Sequence, residues 1–244
     1  MAADIFSIMW KEFRELLIQK PNLRGGWIGL LVFIGVFGIM LPFQSGPAWV
    51  ESPIGIVYWV WVPFMMVSTV IADSFAGERE RHTLETLLAS RLSDKAILLG
   101  KICTAICYGW GLTLVSLLLG LVTVNIAHGQ GEILMYPLDV GLSILLVSFL
   151  MAALASTLGV LMSLRAATVR SAQQTLGVVA LLPLLLVVIV PMLPTSWTER
   201  IFALVMERNV TAIMIPVITA MLVLNLVLLA ASMRRFQRAR LILD

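Results

Sequence analysis

The side chains able to do chemistry are few and far apart. The chain has two histidines, His82 and His128, and two cysteines, Cys103 and Cys107. The histidines fall in polar segments expected on opposite sides of a membrane, so neither can join a nucleophile as its base or complete a ligand set inside the bilayer. The cysteines stand four apart on one helix face, where a disulfide would be strained. They read as reduced thiols, and two thiols lack the further ligands that zinc needs. No phosphate-binding Gly-Lys-Ser/Thr motif occurs, so the chain is not expected to hydrolyse ATP. The apolar stretches hold no Asp, Glu, Lys, Arg or His except at their ends, which argues against a proton relay. The expectation is therefore no catalytic residue, no metal and no cofactor on this chain.

What remains is a charged island, Ile71 to Lys101, set between two long apolar segments. Ten of its thirty-one residues are charged, against 13% for the whole chain. Leu84, Leu87 and Leu88 recur at i, i+3, i+4, which predicts a short amphipathic helix over 77–90. Ser93-Asp94 looks like the N-cap of the next helix. Such an element is either a solvated loop or a handle that a partner grips.

The elements that hold the island are membrane spans. The chain is 60% hydrophobic with mean hydropathy +0.99, whereas soluble domains are about half apolar and a quarter charged. No polar stretch is long enough for a separate soluble domain, so residues 1–244 read as one all-α transmembrane domain. Residues 4–20 carry Ile5, Met9, Phe13 and Leu16 on one face and Lys11, Glu12, Arg14 and Glu15 mostly on the other. They predict an interfacial helix anchored by Trp10. No cleavable signal peptide is expected at this start. Spans are predicted at 24–41, 54–75, 96–126, 138–164, 171–190 and 210–232, with an outer loop over 42–53. Trp59 and Trp61 read as an outer aromatic belt. Ser196-Trp197-Thr198-Glu199 matches a capping box and predicts a short outer helix before the last span. Gly25, Gly29, Gly35 and Gly38 in the first span either allow close helix approach or are ordinary membrane-helix glycines. Ser143, Ser148, Ser156 and Thr157 in the fourth span suit helix packing or a polar lining.

Charge sets the orientation. Lys11, Arg14, Lys20 and Arg24 fall on one side, together with Arg79, Arg81, Arg91, Lys95 and Lys101, with Arg165 and Arg170, and with Arg234, Arg235, Arg238 and Arg240. Only Arg200 and Arg208 fall opposite. The positive-inside rule then places both termini and the island in the cytoplasm.

The island resembles the loop between the second and third spans of ATP-binding-cassette exporter permeases of the type-two class, the six-span sodium/drug-efflux branch above all. The matching residues are Glu78 and Glu80, then His82-Thr83-Leu84-Glu85, Leu87-Leu88, Ser90, Ser93, and Ile97 through Gly100-Lys101. His82 stands where the family has Gly, and Arg91 where it has Pro. The resemblance implies a permease subunit in a prokaryotic plasma membrane, moving a hydrophobic or amphipathic substrate or an ion outward. A second permease copy or paralogue and two separate ATPase subunits, which bind ATP and magnesium, would complete it, with no role for nucleic acid. It makes the island the ATPase-coupling helix, with Leu84, Leu87 and Leu88 pressing inward or into the ATPase cleft. Glu78, Glu80, Arg81 and Glu85 would lie at the rim beside Thr83. By the same analogy the second and fifth spans line the pathway, with Met65, Met66, Thr69, Leu182 and Leu186 as candidates, although ordinary core packing explains these residues equally. A membrane scaffold or sensor that reports ATPase state without moving cargo is the alternative function.

Overall fold

The computed structural model describes residues 1–18, 23–52, 55–189, 192, 194–196 and 210–236. It is all-helical, with no strand among these residues. In chain order the helices are α1 (Ala2–Ile18), α2 (Leu23–Gly35), a π-helical turn (Val36–Met40), α3 (Leu41–Ser45), α4 (Ala48–Glu51) and α5 (Gly55–Glu80). Then come α6 (Leu84–Leu88), α7 (Asp94–His128), α8 (Leu138–Ser163), α9 (Val169–Ile189) and α10 (Val210–Arg235). Five segments among the described residues are long and apolar enough to cross a membrane: Ile28–Ser45, Tyr58–Glu80, Asp94–His128, Leu138–Ser163 and Ala212–Arg235. The 21-residue α9 holds the place of the remaining predicted span. Residues 197–209, which carry most of the predicted outer helix, lie outside the described residues.

Several boundaries differ from the sequence expectation, each for a physical reason. The first span does not stop at Leu41. The π turn lets the Leu41 N–H reach back to the Val36 carbonyl, and Pro42 follows in the first turn of α3, where its missing N–H costs least. The expected outer loop over 42–53 is thus largely helical and turns at Gly46, whose φ is +58°. Of the first-span glycines, Gly38 packs under Leu119, while Gly29 and Gly35 have no neighbour near. Trp59 is not a belt residue. It is fully buried, edge-on to Trp49. Ser93 does cap α7, accepting from the Ala96 N–H. With 35 residues α7 runs roughly 52 Å, well beyond a hydrocarbon core of about 30 Å.

The core is built on α5 and α8, which face each other through small residues. Gly159 sits directly on the Ile71 side chain, and a Cβ there would collide with it. The hydroxyl series of α8 lies inside the chain: Ser148 accepts from the Trp110 indole at 3.2 Å, and Ser156 donates to the Ile102 carbonyl. The polar residues of this stripe serve packing. Ser163 goes further and bonds the α5 backbone itself. It accepts from the Ala76 N–H at 2.9 Å and donates to the Ala72 carbonyl at 3.0 Å. On the other side of α8, α10 is held by Asn225, which donates to the Leu150 carbonyl, and by Ser232, which donates to that of Thr157.

Candidate coupling site

The island is not one helix over 77–90. Residues 77–80 are the last turn of α5; Gly77 and Glu78 are buried there, next to the inaccessible Phe75 and Ala76, while Glu80 is exposed. The helix then stops in a Schellman turn. The His82 N–H donates to the Arg79 carbonyl and the Thr83 N–H to that of Glu78, with His82 at φ +55°. That left-handed position disfavours side chains with a Cβ and explains why a glycine suits it in the resembling pattern. Exchanging His82 for Gly is expected to stabilise the protein by about 1 kcal/mol. The check is the melting temperature in detergent, which should rise for His82→Gly and fall for His82→Val.

The short α6 follows. Leu84 and Leu87 are partly buried and pack on the main core, while His82, Thr83, Glu85 and Thr86 are exposed. The leucines therefore anchor α6 to its own chain. The side chain of Leu88 lies outside the described residues.

The acidic residues assigned to the rim divide. Glu78 is 6% exposed and points inward, not outward as the sequence suggested. It accepts from the ammonium of Lys101 at 2.8 Å, as does Glu12 of α1, also at 2.8 Å. Lys101 uses its third N–H on the Ser74 carbonyl at 2.9 Å, and its nitrogen sits 5.3 Å from the Phe75 ring centre. All three donors of the ammonium are spent. This triad binds α1, α5 and α7 together, beside a contact in which Gly100 leaves no room between α7 and Ile8. The packed face of α1 thus runs through Ile5, Ile8 and Glu12, so a charged residue of the predicted polar side lies on it. Trp10, 66% exposed, faces away.

Glu80 also turns back, accepting from the Val169 N–H at 3.0 Å at the start of α9. Its neighbour Arg79 donates to the carbonyls of Leu164 and Ala166, the open end of α8. Consecutive residues of α5 thereby cap both helices of the α8–α9 turn. Arg81, 55% exposed, reaches Asp73 at 3.4 Å. The outward surface is left to Arg81, His82, Thr83, Glu85 and Thr86. Glu12, Arg79, Lys101 and Ser163 were not singled out by sequence reasoning. Only Lys101 carried a signal there, as the last residue of the island's pattern.

Of the pathway candidates, Met65 packs on the core, Met66 is half-buried, and Thr69 is exposed and donates to the Met66 carbonyl. The side chains of Leu182 and Leu186 lie outside the described residues. Their helices are neighbours: the Trp61 indole of α5 donates to the Ala180 carbonyl of α9 at 3.2 Å. Among the described residues, no group of three His, Cys, Asp or Glu side chains could hold a metal.

The sequence model of the ABC-2 type transporter family matches residues 3–206. The chain belongs to that family. It is a multi-pass membrane protein and the permease component of an ABC transporter, a component that lacks the ATPase site, and permeases of this family work with an ABC ATPase. No curated protein matches the chain. In this ABC-2 permease the triad, the two caps and α6 gather at one end with the α8–α9 turn and Phe236, which packs on Phe75. The opposite end is closed by Asn125, which bonds the Leu134 backbone in both directions.

Proposed function

We propose that this permease exports a hydrophobic or amphipathic substrate, or an ion, driven by separate ATPase subunits that dock on α6. Two permease copies, or this chain and a paralogue, pair with two ATPases that carry ATP and magnesium. Both termini and α6 face the cytoplasm of a prokaryotic cell, and the route runs between α5 and α9 of facing subunits. The observation that supports this reading is the build of α6: its apolar side is spent on its own core, its polar side is free, and its base is capped onto the α8–α9 turn. A merely solvated loop needs no such bracing. Glu85 and Thr86 are the contacts to test, with Arg81 beside them. A single rim charge is worth under about 1 kcal/mol, so the double variant Glu85→Arg/Thr86→Trp is the decisive one. It is expected to reduce co-purification with an ABC ATPase of the same genome at least tenfold, with yield and melting temperature unchanged because both side chains are exposed. Undiminished association would remove α6 as the docking element. Association without substrate-stimulated hydrolysis by the wild type would favour the scaffold function.

A further inference from the structure

A cavity of about 720 Å³ lies where α1, α5 and α9 meet, beside the triad. Its size suits a small organic molecule. Four carboxylates line it, those of Glu12, Glu15, Asp73 and Glu78, against three cations, Lys11, Arg81 and Lys101, which leaves a net charge of −1. The three cations are not equally committed. Lys101 is 1% exposed with every N–H bonded. Lys11 and Arg81 are 49% and 55% exposed; Lys11 lies 3.3 Å from Glu15 and 3.8 Å from Glu12 and Glu78, and Arg81 lies 3.4 Å from Asp73. Charge-assisted bonds are shorter, about 2.7–2.9 Å, and such exposed pairs cost little to exchange. Glu78 adds an independent sign. It is more than nine-tenths buried, it lines this cavity, and its Oε2 has no hydrogen-bond partner. A buried carboxylate oxygen without a donor is a standing demand for one. The rest of the wall includes Leu16, Val70 and Val169, an apolar surface continuous with Thr69.

We propose that this cavity is the loading site for a cationic amphiphile, a reading that rests on the permease function above. The charged headgroup takes over the carboxylates that Lys11 and Arg81 otherwise hold. The apolar body lies along Leu16 and Val70, one turn from Met66 on the expected route. A purely anionic headgroup meets the wrong sign, because Lys101, the buried cation in this wall, has no N–H left to give.

The test uses the full chain in phosphatidylcholine nanodiscs and radiolabelled dodecylamine, which is protonated at neutral pH. Saturable binding above that of protein-free discs is expected. Asp73→Asn and Glu15→Gln should each weaken it at least fivefold. Arg81→Ala should tighten it about threefold, since it removes the competing cation. Opposite shifts from two surface-accessible residues would not arise from a loss of folding. Dodecyl phosphate should fail to compete. Absence of saturable binding, or equal affinity in Asp73→Asn and Arg81→Ala, overturns the proposal. Displacement by sodium at constant ionic strength also overturns it, because the site would then take an inorganic cation. If the permease reading alone is wrong, ATPase association is missing while dodecylamine still binds. If this proposal alone is wrong, association persists without binding.

Discussion

Lys101→Met is expected to cost the protein a large share of its stability. The substitution leaves the carboxylates of Glu12 and Glu78, 14% and 7% exposed, against each other, with only Lys11 at 3.8 Å to answer them. Deleting one partner of a buried ion pair typically costs about 3–5 kcal/mol, a large share of the 5–15 kcal/mol that holds an ordinary domain together. The loss would fall on the junction of α1, α5 and α7, so α1 should detach first. The measurement is the monodisperse yield in detergent together with the melting temperature. Neutralising the stranded acids supplies the control: Lys101→Met/Glu12→Gln/Glu78→Gln should recover most of the loss, since no unpaired charge remains. A single variant as stable as wild type would mean that the triad carries no structural weight.

Gly159→Val should be the second most damaging change. A Cβ at this position collides with Ile71, which is fully inaccessible. A flexible side chain could swing aside, but Ile71 is branched at Cβ and enclosed, so α5 and α8 must separate. Overpacking typically costs about 1–3 kcal/mol. Here it also pulls the Ser163 hydroxyl away from the Ala72 and Ala76 backbone. Loss of transport and a lower melting temperature are expected together. The double variant Gly159→Val/Ile71→Ala makes room for the added methyls and should regain more than half of the lost stability. No recovery would show that the clash is not the cause.

Hydropathy made the spans legible, and the cap at Ser93 was readable from two residues. The extents were less so. α5 continues to Glu80 because Gly77 and Glu78 of its last turn are buried in the chain's own core and Arg79 and Glu80 bond the α8–α9 turn, facts that local composition does not carry. The triad was hidden for a related reason. Glu12 looks like the solvated side of an amphipathic helix, and its partner Lys101 is 89 residues away. Periodicity assigns faces by polarity, and here a polar residue lies on the packed face. Glu80 likewise resembles a rim charge, and only the arrival of Val169 beside it makes it a cap. His82 was the opposite case. Its departure from the family's glycine was visible in the sequence, and the turn shows what that glycine is for.

The hydroxyl of Ser163 gives α5 a joint. It accepts from the Ala76 N–H and donates to the Ala72 carbonyl, so one atom of α8 serves both a donor and an acceptor of the α5 backbone. An intact ladder resists bending, because opening one side leaves a buried carbonyl or N–H without a partner. The Ser163 hydroxyl offers both groups a partner if that rung opens. Bending of α5 at Ala72–Ala76 is therefore expected to cost less than elsewhere along the helix, and α6 would follow it. The anchor of that pivot belongs to α8, so the hinge pin and the lever lie on different helices. A push on α6 would then reach the membrane as a rotation about α8, with little sliding of α5 along its own axis.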